Sequence, residues 1–150
     1  MKLKKDLMPN RVKKAKKLLE QLSHTFVRTR DSISPLKIGG YCFDCGKYSE
    51  YQQFQAGHFE PSGSCGAILR YHPHNIHGQF AGCNCGYQQE QVKINYTLKM
   101  IDKYGREYVD HLKQLKNKSI KADIIFYDKM NELYTDGDEN AIVQYLESLV

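Results

Sequence analysis

No stretch of this chain approaches the ~20 consecutive apolar residues that span a bilayer. The opening M-K-L-K-K-D-L-M-P-N has lysines but no apolar segment behind them that would make a secretory leader. The expectation is therefore a cytoplasmic protein with no membrane partner, whose thiols stay reduced. Internal repeats and low-complexity tracts are also missing, so nothing suggests a solenoid or a long linker. Cysteine is lacking everywhere outside the segment Cys42–Cys85, which holds all five. At 150 residues the chain is long enough to bury about 68–70% of its unfolded surface as a single domain, so it has no need of disulfides. An odd number of clustered cysteines in a reducing compartment points to metal binding or chemistry.

Charge is unevenly spread. Residues 1–30 hold ten Lys/Arg, among them Lys13, Lys14, Lys17, Arg28 and Arg30, against Asp6 and Glu20, a net +8 in a chain of net +5; the remainder is net negative. A basic arm of this density suits a polyanion.

Val12, Ala15, Leu18, Leu19, Leu22 and Phe26 recur at helical steps, with lysines on the other face, and predict a helix over residues 10–27. Ser34-Pro35 and Gly39-Gly40 then turn the chain toward Cys42. From Tyr41 to Cys85 the pattern is short strands and turns, with one strand expected over Tyr51–Phe59 and another over Ala67–Tyr71. Helical spacing returns from Gln88 to a stop at Gly105, followed by helices over 106–116, 122–134 and 139–149. The last, with Ile142, Tyr145, Leu146 and Leu149 along one side, suits either the core or a homodimer interface.

Cys42-x-x-Cys45-Gly46 places two thiolates on a tight turn whose amides point at sulfur, one half of a tetrahedral zinc site. Cys83 and Cys85 are the available second pair. Their C-x-C spacing strains a shared site, with Cys65 or a histidine in reserve. A redox dithiol at Cys42 and Cys45 would need a strand–helix–strand unit that the pattern does not contain. His58, at the end of an expected strand, is followed by Asn75 and Asn84. Hydrolysing a phosphodiester needs a base near neutrality, a group that orients it, and a hard cation on the phosphate. These three residues fill those roles if zinc brings the two cysteine clusters together.

The spacing H…N…C-N resembles the HNH, or ββα-metal, nuclease motif. More narrowly, F-V-R-T-R-D, C-F-D-C-G, Q-A-G-H-F, A-I-L-R-Y, H-N-I-H-G-Q, C-N and Y-G-R-E-Y-V-D-H-L, running from about Phe26 to Leu112, resemble the phage lambda NinG (Rap) family of recombination nucleases. The resemblance implies an α+β fold. A zinc-stabilised ββα-metal core (HNH- or treble-clef-like) over 41–104 would lie between a basic helical arm (1–33) and a helical C-terminal part (105–150). It further implies an endonuclease on branched DNA in the bacterial host's cytoplasm, with structural Zn²⁺ and catalytic Mg²⁺ or Mn²⁺. His58 would be the general base, Asn75 its orienting residue and Asn84 a holder of the cation. His77 would contact phosphate or the cation, Arg70 would contact phosphate, and the basic arm would grip the DNA backbone.

Two departures stand out. Phe80 replaces a family cysteine, which leaves the fourth zinc ligand to Cys85, to another group, or vacant. Gln55 stands where the family often has aspartate. A zinc-stabilised DNA-binding module without activity is the alternative reading.

Overall fold

The computed structural model describes residues 3–33, 38–86 and 89–150, with side chains from Met8 onward. The expected turn at Ser34-Pro35 and the helix start at Gln88 lie outside the described residues. The first helix, α1 (Leu3–Asp31), is longer than the apolar periodicity indicates and carries Pro9 inside it. Its buried line Ala15, Leu19, Ser23, Val27 repeats every four residues, which stacks the side chains on one face. That face packs on α6 (Ile124–Asp136), where Asn131 Nδ2 also donates to the carbonyl of Ala15 at 3.0 Å.

Two antiparallel hairpins follow α1. β1 (Gly39–Tyr41) pairs with β2 (Tyr48–Glu50), and the turn between them carries Cys42 and Cys45. β3 (Phe54–His58) pairs with β4 (Ile76–Phe80), with His58 opposite Ile76 and Gly57 opposite His77. The helix α3 (Ala81–Cys85) leaves β4 directly. The second hairpin and its helix form a β–β–α unit whose connection holds the short helix α2 (Ala67–Arg70). Four C-terminal elements complete the α+β architecture: α4 (Glu90–Tyr104), α5 (Arg106–Leu115), α6 and α7 (Glu139–Glu147).

Ala67–Tyr71 is helical where a strand was expected. Ile68 and Leu69 are both fully buried, which a short two-faced strand would not allow. The last carbonyls of the turn are satisfied by side chains: Asn75 Nδ2 donates to Leu69 O at 3.1 Å and His58 Nε2 lies 3.0 Å from Arg70 O. A helix end needs such partners for its unpaired carbonyls. Within Tyr51–Phe59, residues 51–53 form a 3₁₀ turn and the strand proper begins at Phe54.

The core is shared by α1, α2 and α4–α7, with Leu19, Leu69, Tyr96, Met100, Leu112, Met130, Ile142 and Leu146 fully buried in one cluster. Ile142 and Leu146 are therefore core residues. The side of α7 read as a possible dimer interface faces inward. Among the described residues no helix is long and apolar enough to cross a membrane.

The C-terminal turn of α1 fastens the β–β–α unit. Arg30 makes a two-pronged pair with Asp31 (2.6 and 2.9 Å) and donates to Ile76 O (2.8 Å), Pro73 O (3.1 Å) and Glu139 (3.3 Å). Asp31 Oδ2 accepts from the Gly78 amide at 2.7 Å. Arg28 Nε donates to Phe54 O at 2.7 Å, and its guanidinium lies over the Tyr51 ring at 4.0 Å. The expectation that Arg28 and Arg30 face DNA is thus corrected: both are engaged with backbone carbonyls, which need donors more than solvent does. Arg30 and Asp31 each keep only 17% side-chain exposure, and removing one partner of such a pair costs about 3 kcal/mol or more. Arg30→Leu is expected to lower stability by that amount in urea unfolding, whereas Lys13→Ala, at an exposed position on the same helix, leaves the midpoint unchanged.

Candidate functional site

The metal-ligating cluster is built from both hairpins. The Cys42–Lys47 turn is closed by Gly46 N donating to Cys42 O and Cys42 N donating to Lys47 O, both at 2.8 Å. Gly46 sits at φ 72°, a left-handed conformation that glycine adopts without strain. Backbone amides of Cys45 and Phe80 donate to the Cys42 sulfur. Cys83, in the first turn of α3, brings its sulfur to 3.5 Å from that of Cys45. All three sulfurs lie within 4.8 Å of one another, the one such group of three His, Cys, Asp or Glu among the described residues. A tetrahedral zinc with Zn–S bonds of ~2.3 Å sets sulfurs ~3.8 Å apart, so the three thiols are spaced to hold a metal such as zinc.

Cys85, expected as a ligand, is exposed and outside this group. Two residues along a helix turn the side chain by ~200°, so Cys83 and Cys85 face opposite ways. Phe80 lies beside the cluster with Lys47 Nζ 4.6 Å from its ring. Asp44 is buried, its Oδ1 accepting from the Cys42 thiol at 2.9 Å and from Gln79 Nε2 at 3.0 Å. Burial first, then Asp44, pushes the Cys42 thiol up; burial and Cys45 push that of Cys83 up to about 11. A metal must displace these protons, so its affinity falls as pH falls. Purified protein is expected to carry one zinc per chain by metal analysis. Cys45→Ser and Cys83→Ser should lose it and Cys85→Ser should retain it.

A second centre lies at the end of β3. His58 and Asn84 line one cavity of about 330 Å³ with Glu20, Ser62 and Arg70. A carbonyl only accepts, so His58 Nε2 carries the proton directed at Arg70 O and Nδ1 keeps the lone pair. Burial pushes the imidazole down to about 4, partly offset by that hydrogen bond. Asn75 is fully buried. Its backbone carbonyl accepts from Phe59 N, and its side chain accepts from Glu60 N at 2.9 Å and donates to Glu60 O at 3.1 Å. It thereby fixes the chain that leaves His58. Asn84 Nδ2 donates to Gln55 Oε1 at 2.8 Å. Asn84 also packs against Gly57, where a Cβ would collide with Gln79; glycine is required for this close approach.

The family model for the bacteriophage lambda NinG protein matches residues 1–136. This chain belongs to the NinG family. No curated protein and no solved structure matches it.

Other residues singled out in this NinG-family chain fall differently. His77, expected on phosphate or the cation, is fully buried. It is stacked on Phe43 at 4.0 Å, with Nδ1 3.1 Å from Tyr96 OH and Nε2 2.8 Å from Tyr104 OH. Tyr96 gives its hydrogen to Gly57 O, so Nδ1 donates to Tyr96 and Nε2 accepts from Tyr104. No face of the ring is left for a ligand, and burial holds it neutral. Arg70 lines the His58 cavity and pairs with Glu20 at 3.0 Å. Lys13, Lys14 and Lys17 are exposed on α1.

The sequence reading passed over Glu20 and His24, which α1 contributes to the same cavity. Their signal was present: Glu20, His24 and Arg28 recur every four residues beside the core ridge of an otherwise lysine-rich helix.

Proposed function

We propose that this NinG-family protein is a metal-dependent endonuclease that hydrolyses DNA phosphodiester bonds, with branched recombination intermediates as its substrate. The observation that carries the reading is the β–β–α unit itself. A histidine ends the first strand, an asparagine precedes the second and another lies in the helix, and His58 and Asn84 share one open cavity. This is the order that the ββα-metal resemblance implies. The preference for branched DNA is supported by family membership alone.

His58 Nδ1 takes a proton from water, which attacks the phosphorus. The Arg70 carbonyl on Nε2 steadies the imidazolium that results, as an orienting acceptor does for a histidine base. Asn75 keeps the loop beyond the histidine from shifting. Arg70 reaches into the cavity as a phosphate contact, exchanging part of its bond to Glu20. Exposed Lys13, Lys14 and Lys17 supply backbone contacts that do not depend on sequence. The donors around Asn84 are amides and imidazoles, chemistry that accepts a divalent cation. When bound, such a cation supplies positive charge to the phosphate oxygens and the leaving oxygen.

One observation favours the second reading, a zinc-stabilised DNA-binding module without cleavage: the Gln55–Asn84 hydrogen bond closes part of the cation site where a carboxylate is lacking. Nicking of four-way junction, flap and three-way substrates with Mg²⁺ and with Mn²⁺ separates the two. The endonuclease reading expects cleavage that drops ~10²–10⁴-fold in His58→Ala while binding is retained; binding without cleavage under any divalent ion refutes it. The base must be unprotonated to act, so activity is lost as pH falls through the lowered His58 value. The acid limb of the rate profile is expected near pH 4 rather than at the ordinary histidine value of 6.5.

A further inference from the structure

The His58 cavity adjoins a second, of about 390 Å³, lined by Arg28, Gln52, Phe54 and Gln55. The side chains common to both are His24, Ala56 and Asn84, so His24 of α1 and Asn84 of α3 face each other across the junction of the two. The His24 ring stands edge-on to His58, with centroids 5.8 Å apart. Asn84 offers its carbonyl oxygen there, because its amide nitrogen is committed to Gln55.

Carboxylate is scarce at this place. Glu20 is the sole acid lining either cavity, and it is paired with Arg70. Mg²⁺ favours six oxygen donors in near-ideal octahedral geometry and is ordinarily held through carboxylates. Imidazole suits the later divalent ions of the first transition row, and Mn²⁺ accepts mixed oxygen and nitrogen donors. Because no third ionisable side chain closes around His24 and His58, an ion here keeps water in its remaining positions, as a site that works on a substrate requires.

We infer that His24, reaching over from the N-terminal helix, is a ligand of the cation at this pocket together with Asn84, and that the site takes a transition-metal dication in preference to Mg²⁺. The inference rests on the hydrolytic reading for its purpose but not for its test. It also gives α1 a part in the pocket that its lysines do not provide. His58 stays outside the ligand set with Nδ1 open to water, since its Nε2 is committed to the Arg70 carbonyl.

The experiment uses full-length protein whose cysteine cluster has been filled with Zn²⁺, and follows the imidazole and side-chain amide resonances by NMR. Titration with Mn²⁺ is expected to broaden the signals of the His24 ring and the Asn84 amide first, and an equal concentration of Mg²⁺ to leave them unshifted. In His24→Ala and His24→Gln the apparent Mn²⁺ dissociation constant should rise at least ~10-fold. The His58 ring signal and the thermal midpoint, checked alongside, should stay in place, since His24 is exposed on its helix. Equal Mn²⁺ affinity in wild type and both variants overturns the inference, as does Mg²⁺ binding as tightly as Mn²⁺. Mn²⁺ binding that depends on His24, in a protein that leaves junction DNA uncut, upholds the metal site and removes the endonuclease reading. Cleavage with no His24-dependent metal binding does the reverse.

Discussion

The Arg30–Asp31 pair at the end of α1 is the constraint on which the arrangement depends. A two-stranded hairpin of five-residue strands is marginal by itself, and here both strands are tied to one helical turn. Arg28 holds the carbonyl of Phe54 at the start of β3, Arg30 holds the carbonyls before and within β4, and Asp31 holds the amide of Gly78. Burial alone would lower the charged form of Arg30, and the hydrogen bonds and charge of Asp31 more than reverse this. The pairing has a positional result: because α1 cannot slide relative to the hairpin, Glu20 and His24 stay over the end of β3.

The two centres differ in how they are held. The cysteine cluster depends on backbone: amides of Cys45 and Phe80 aim at one sulfur, and a glycine turn sets the second. The His58 centre depends on side chains acting as hydrogen-bond partners for irregular backbone. Asn75 and His58 both satisfy carbonyls at the end of α2, so the same bonds that stabilise the short helix also fix the ring. Folding and chemistry share one set of contacts there, which is why the connection between β3 and β4 is long without being loose.

Helical periodicity made α1 and α4–α7 legible in the sequence, since each has a buried stripe and an exposed one. The β4 strand was not legible because Ile76 to Gln79 are buried without alternation. A strand covered on both faces leaves no period-two signal. Three of the four proposed cysteines are together, because C-x-x-C-G and a distant cysteine are read from local turn chemistry. Cys85 failed for want of knowing that Ala81–Cys85 is helical. His77 was misjudged because its neighbours suggested a polar loop, whereas the tyrosines that enclose it lie 19 and 27 residues further on. No local pattern announces partners so far along the chain. His24 was hidden for the converse reason, lying in a helix that read as a charged arm.

Lys13, Lys17 and His24 ride on one uninterrupted stretch of helix, with Pro9 lying before all three. At ~1.5 Å of rise per residue, Lys13 and His24 are ~16 Å apart along its axis. The helix is in that sense a ruler: a polyanion gripped near its middle would be offered to the pocket at a set offset, and lengthening the helix between the two would move the point of contact without altering either end.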